Sequence, residues 1–245
     1  MDKSIEKLKD DVHYYGSFGQ NYLSNSDISS LLNDPESFRK PKDNNQNFVM
    51  GRYFHTMMLE PQKSNSKEFE SIECSTRRTK VYTEAIDNSE FDVLMLQSEK
   101  SNVDTMVSRM KNNFSFSCDI YEDGNVFEQP GIVEIGGLKW KGKADVVSDS
   151  FVYDLKTTNS MDRFKYSAND YNYDSQAWLY EKIFGVPMVF LVIDKKTHKL
   201  KKWDCSQTFL DRGKDKVFRA IDEYNKFFGD SPTESLKEYY AEETL

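Results

Sequence analysis

Apolar positions along the chain change period twice, and each change marks a change of element. From Phe48 to Leu59 the apolar residues Phe48, Tyr53, Phe54, Met57 and Met58 recur at helical spacing. Pro61 ends that run, because the residue before a proline is pushed out of the helical region. A shorter helix is predicted from a Ser26-Asp27 cap through Leu31 and Leu32 to the Asp34-Pro35 stop, and the polar segment 40–47 reads as a loop. A second helical stretch covers about 84–112, with Val93, Leu94, Leu96, Val103, Met106, Val107 and Met110 apolar. The period then falls to two, and residues 125–135 and 138–157 are predicted strands. A helix over Tyr171–Phe184, closed by Gly185 and Pro187, precedes paired strands at Met188–Ile193 and Lys199–Trp203. The segment 206–228 is an amphipathic helix built on Phe209, Val217, Phe218, Ile221, Tyr224 and Phe228. The order of helices, strand meander, helix and two strands predicts an α/β fold, with helices flanking a central mixed sheet. Residues 26–229 form one domain, residues 1–25 an N-terminal arm, either mobile or docked as a helical extension, and residues 230–245 a tail.

Composition narrows the class. With 245 residues the chain suits one large domain, and an aromatic content of 14% argues against wholesale disorder despite 30% charged residues. The 33 basic and 41 acidic residues give a net charge of −8, which counts against a protein that coats nucleic acid non-specifically but leaves room for a local basic track. No stretch approaches the ~20 apolar residues of a membrane span. The start Met1-Asp2-Lys3-Ser4-Ile5-Glu6 lacks the pattern of a signal peptide, so a cytoplasmic protein without membrane attachment is expected. Cys74, Cys118 and Cys205 are too far apart for a disulfide framework, a zinc site or an iron–sulfur site.

The chemistry concentrates between Gly137 and Thr157. Alternation puts Leu138, Trp140, Ala144 and Val146 on one strand face and Lys139, Lys141, Lys143 and Asp145 on the other. If the hairpin turns through Asp149 and Ser150, Ser148 pairs with Phe151 and, continuing the register, Asp145 opposes Asp154. Two carboxylates facing each other at ~5 Å repel, and a divalent cation such as Mg²⁺ or Mn²⁺ removes that objection, with Lys156 beside it. The other acid-x-Lys triplet, Asp194-Lys195-Lys196, ends a strand in a polar turn without an upstream carboxylate, so it is read as a decoy. Gln176 and Tyr180 share one helical face. The run Lys195, Lys196, Lys199, Lys201 and Lys202 is read as a soluble hairpin edge.

A strand ending in Asp145, an Asp154-Leu155-Lys156 strand and a Gln176-x-x-x-Tyr180 helix together resemble the PD-(D/E)XK nuclease superfamily, in its RecB-like branch. The segment Gly51-x-x-x-His55-x-x-x-Leu59-Glu60-Pro61 resembles the signature of RecE-type phage exonucleases, and the Arg77-Arg78-Thr79-Lys80 loop is similar to that group. The resemblance spans about residues 27–225; Ala144 replaces the "PD" proline, and the absence of a cysteine quartet excludes the iron–sulfur subfamily.

It implies a single nuclease-like domain in which Asp145, Asp154, the carbonyl of Leu155 and His55 bind metal and Lys156 orients and helps deprotonate the attacking water. Glu128 matches an acid of the first core strand, with Glu134 the competing candidate. Gln176, Tyr180, Arg77, Arg78, Lys80, Lys141 and Lys143 are the residues expected toward DNA. The implied activity is Mg²⁺-dependent exonucleolytic hydrolysis from ends of double-stranded DNA, with Mn²⁺ able to substitute. The expected direction is 5′→3′, in phage-type recombination or replication inside a bacterial host. A homo-oligomeric ring and a single-strand annealing protein are the implied partners. The competing readings are a structure-specific or single-strand endonuclease and a catalytically inert DNA-binding module on the same fold.

Overall fold

The computed structural model describes residues 3–41 and 44–239. Lys42 and Asp43 of the expected 40–47 loop, and residues 240–245 of the expected tail, lie outside the described residues. Helices α1 (Lys3–Leu8), α2 (Asp11–Tyr15), α3 (Asn25–Asn33) and α4 (Gln46–Leu59) open the chain. Strand β1 (Ser71–Ile72) pairs in parallel with β2 (Met95–Leu96), with α5 (Lys80–Asp87) between them. Helices α6 (Gln97–Lys111) and α7 (Phe114–Tyr121) lead to the main sheet: β3 (Val126–Ile135), β4 (Leu138–Val147), β5 (Val152–Thr158), β6 (Met188–Asp194) and β7 (Leu200–Asp204). Helices α8 (Phe164–Asp170) and α9 (Tyr173–Phe184) connect β5 to β6, and α10 (Gln207–Phe228) follows β7.

The sheet runs β3-β4-β5-β6-β7 in space, antiparallel except for the parallel pair β5–β6. A parallel neighbour requires a crossover, which α8 and α9 supply. All seven residues of β6 are buried, as expected of a strand covered on both faces. Met188, Phe190 and Val192 pack into a core with Ile28 and Leu31 of α3, Leu179 of α9 and Val217 of α10. Val189, Leu191 and Ile193 face the opposite way, into a core with Phe54 of α4, Met106 of α6 and Ile120 of α7. The central mixed sheet flanked by helices is therefore present. Among the described residues no helix is long and apolar enough to cross a membrane.

Several elements differ from expectation. The helical stretch 84–112 is broken, because Asp87-Asn88-Ser89 favour a turn and Asn88 caps the carbonyl of Glu84 at 2.7 Å. Leu94 is instead clamped by the Tyr82 hydroxyl, which donates to its carbonyl and accepts its N–H, both at 3.1 Å. The carboxylate of Glu99 accepts the Leu96 N–H at 2.9 Å and restarts the helix as α6. The cap of α3 is Ser24 rather than Ser26, with Asp27 closing a capping box onto it. Helices α7 and α8 are short and carried no clear period. The arm is docked: Leu8, Tyr14 and Tyr22 are buried, and Leu23 exchanges backbone hydrogen bonds with Lys139 and Lys141 of β4 at 2.9 and 2.8 Å. Val146 joins Leu155 in the second core rather than Trp140 and Ala144 in the first.

One contact fixes where α9 sits. Gly213 brings the α10 backbone against the start of α9, so that a Cβ there would lie 2.1 Å from the Asp174 carbonyl oxygen. The fully buried Asp174 carboxylate is held by Arg212 Nε at 3.0 Å and Lys216 Nζ at 2.9 Å. Gly213→Ala must push two backbones apart, and overpacking of this kind costs about 1–3 kcal/mol. Its urea midpoint should fall at unchanged slope; an unchanged midpoint would show that the helices separate freely.

Candidate active site

Val146 pairs with Tyr153 and Val147 with Val152, and the Ser148 N–H reaches the Phe151 carbonyl at 2.9 Å, the register of a two-residue turn. The next step of that register opposes Asp145 and Asp154. The ladder stops there, and the Leu155 N–H is donated to Asp145 Oδ2 at 2.6 Å.

On the other side of β4, Phe127–Val146 and Gln129–Ala144 are paired, which leaves Glu128 opposite Asp145 without a ladder partner. Glu128 has φ +48°, the left-handed region that a residue with a Cβ enters at a cost of about 1–3 kcal/mol. The kink reverses the faces of both strands. Phe127 and Val146 pack with α4, whereas Val133, Trp140 and Ala144 pack with α9 and α10. Glu128 and Asp145 thus turn toward one spot at the seam between the two cores. Glu134 pairs with Lys139 near the far end of the strand, which separates it from this spot.

Helices from both layers supply the countercharges. From α4, His55 Nδ1 lies 3.3 Å from Asp145 Oδ2. Lys156 Nζ lies 2.6 Å from Asp154 Oδ2, and Gln176 Nε2 on α9 donates to Asp154 Oδ1 at 2.5 Å. The Tyr173 ring lies 4.8 Å from the Lys156 ammonium, three positions before Gln176 on the same helical face. Burial would raise the Asp145 carboxyl, but the neighbouring His55 charge and hydrogen bond bring it below its ordinary value. Burial would lower His55, and Asp145 instead holds it above. Glu128 is pushed up to about 7 by burial and then by the Asp145 charge. Burial also raises Asp154, to about 6, against the pull of Lys156. Burial would lower Lys156, and the Asp154 charge more than reverses this, so its ammonium is held charged.

This donor set fits a hard divalent cation. His55, Glu128 and Asp145 each offer a ligand atom within 4.8 Å of the others. Asp154 Oδ2 is buried, with the Lys156 ammonium at 2.6 Å. Burial first, and then the Asp145 charge, makes Glu128 and Asp154 costly to ionise, and a dication would stabilise their charged forms.

The site opens into a cleft of about 970 Å³. Of the residues expected toward DNA, Lys141, Lys143, Gln176 and Tyr180 line it. All four are engaged within the protein. Lys141 donates to the Tyr14 carbonyl beneath the arm, and burial there lowers its ammonium to about 8. Lys143 is paired with Asp11 and lies 3.8 Å from Glu128, while the Tyr180 hydroxyl donates to the Lys143 carbonyl at 2.9 Å. Arg77, Arg78 and Lys80 are not part of the lining. Arg77 is spent on Glu99, at 2.7 and 2.6 Å, and Lys80 lies 3.3 Å from Glu84 on its own helix. The cleft also draws in Asp11, Tyr15, Arg52, Lys63 and Tyr173, which sequence reasoning did not select. Tyr173 was legible from its offset to Gln176. The arm residues carried no signal, since only docking brings them near Asp145. Asp194 has a purely structural role: its carboxylate accepts the N–H groups of Met161, Lys196 and Thr197 at 2.8–2.9 Å.

No curated protein matches this chain. The crystal structure described as "Putative exonuclease" from Eubacterium rectale superposes with a TM-score of 0.62 over 96% of this chain and 95% of that one. At 14% identity it is a likeness of fold. The structure of SSO0001, at 18% identity over 69% of this chain and 86% of that one, has a TM-score of 0.32 and carries no argument. The family described as "PDDEXK-like domain of unknown function (DUF3799)" matches residues 30–233, from α3 to just beyond α10 and including the site, and the chain belongs to that family.

Proposed function

We propose that the protein is a metal-dependent deoxyribonuclease that hydrolyses phosphodiester bonds from the ends of duplex DNA. The observation that carries this reading is the gathering of Asp145, Asp154, Glu128, His55 and Lys156 at the kink in the sheet. Membership of a PDDEXK-like family and the fold shared with a protein described as an exonuclease support it. End dependence and a 5′→3′ direction rest on the Gly51-x-x-x-His55-x-x-x-Leu59-Glu60-Pro61 signature, as do a role in phage-type recombination or replication, a ring assembly and an annealing partner.

Asp145, Glu128 and His55 would hold Mg²⁺ or Mn²⁺, with Asp154 and the Leu155 carbonyl as further ligands. The bound cation would supply Lewis acidity toward water and the scissile phosphate. Lys156, beside Asp154, would orient the attacking water and help its deprotonation by stabilising the negative charge that develops on its oxygen. Gln176 holds one oxygen of Asp154 and Lys156 the other, which fixes the carboxylate's orientation.

Lys156 acts on charge that develops in the transition state. Lys156→Ala should therefore slow cleavage by at least ~10²-fold, while binding of DNA ends in Ca²⁺ changes little. Cleavage at the wild-type rate would remove Lys156 from the reaction. A second expectation concerns topology and metal. End-labelled linear duplex should be degraded in Mg²⁺ and spared in EDTA, and covalently closed circles should survive both. Rapid cleavage of the circles would favour an endonuclease, and binding without any cleavage an inert module.

A further inference from the structure

Exposed aromatic rings are costly to leave in water, and three of them share the wall of one polar cleft. Tyr15 of α2 is 72% exposed, Phe48 of α4 52% and Tyr171, between α8 and α9, 67%. All three line the cleft that contains Asp145, each from a different element. Other exposed rings, such as Phe114 and Tyr166, lie away from it. Two of the three have an aromatic neighbour behind them: Tyr14 lies 5.0 Å from Tyr15, and Tyr173 lies 5.9 Å from Tyr171, between centroids. Tyr173 in turn touches Lys156. The Tyr171 platform is thus one ring away from the reacting centre. Phe48 and Tyr171 lie within the residues that the family match covers, and Tyr15 lies before them in the arm.

We infer that Tyr15, Phe48 and Tyr171 form a stacking platform for the unpaired bases of a single nucleic-acid strand whose backbone runs to Asp145. Stacking needs a free π-face, which an unpaired base offers on both sides and a base inside a duplex does not. The volume agrees, since about 970 Å³, at the upper end of single-ligand clefts of ~300–1,000 Å³, admits a few nucleotides of one strand. The cationic groups on the same walls, Arg52 and Lys63, are partly exposed and suit a phosphate backbone more than a peptide. The inference deepens the nuclease reading by naming the form in which substrate enters, and it rests on that reading for the strand's chemistry.

The test separates the two. A single strand of about 12 nucleotides, within the ~4–16 of known single-strand sites, carries a fluorescent purine analogue whose emission is quenched by stacking. It is titrated with the full chain in Ca²⁺, and cleavage is followed separately in Mg²⁺. Quenching is expected on binding. Tyr171→Ala and Phe48→Ala should each weaken binding of the single strand by at least ~5-fold, and Tyr171→Trp should retain it. A relaxed, covalently closed duplex circle, which has neither ends nor unpaired bases, should bind both alanine variants as it binds wild type. Binding without quenching, or alanine variants that hold the single strand like wild type, would overturn the platform even if linear DNA is degraded. Quenching without cleavage in Mg²⁺ would uphold the platform and sink the nuclease reading. Because the replaced side chains are exposed, an unchanged circular dichroism spectrum is expected to accompany each outcome.

Discussion

Glu128 and Asp145 present carboxylate oxygens within 4.8 Å of each other at the kink in the sheet. At an effective dielectric of ~20, two unit charges at that distance repel by about 3–4 kcal/mol, and the left-handed backbone of Glu128 adds its own cost. A regular ladder would spare the backbone cost by carrying β3 through unkinked. The local structure instead gives up pairing on both sides of Asp145 and spends the Leu155 N–H on its carboxylate. Strain and repulsion in one place are what a site organised for a cation requires, since the ion removes the larger of the two costs when it binds.

Countercharge has to come from outside the sheet, and it comes from both layers. His55 rides on α4, in the core of Phe54 and Met106; Gln176 rides on α9, in the core of Leu179 and Val217. Neither helix can be placed until β6 is buried, because β6 sends alternate side chains into each core. The long crossover through α8 and α9 that makes β6 parallel to β5 also delivers Tyr173 and Gln176 to Lys156 and Asp154 of β5, and Tyr180 to Lys143 of β4. The Gly213 contact and the Asp174 ion pairs then set the depth of α9. Site geometry is thus tied to the packing of the whole domain.

What was legible in the chain was whatever depends on local periodicity. The two-residue turn at Asp149-Ser150 gave the register of β4 and β5, and the apolar run 188–193 gave the central strand. The helical offset between Gln176 and Tyr180 gave one wall of the site. Period-two reading failed at Val146 because it assumes unbroken alternation, and the left-handed Glu128 that breaks it is not a glycine or an asparagine. The stretch 84–112 has helical spacing on both sides of a break that local chemistry marks, through Asp87-Asn88-Ser89 and the Glu99 cap on Leu96, and that the spacing of apolar residues alone passes over. The choice between Glu128 and Glu134 needed the kink itself, because both lie on β3 at equal parity.

The lysines of β4 show why charge read from sequence misjudges a cleft. Lys141 and Lys143 look like a phosphate track, yet the docked arm covers the first and Asp11 pairs with the second. Lys63 is likewise shared between Glu60 and Asp11, and Arg52 is held by Glu68. A phosphate that reaches these cations displaces a carboxylate instead of filling an empty positive trough. The exchange swaps one charge-assisted contact for another, so these lysines contribute register and selection more than net attraction. In a chain of net charge −8 the pull on a nucleic-acid strand then has to come from the cation at Asp145 and from surfaces that bind without charge.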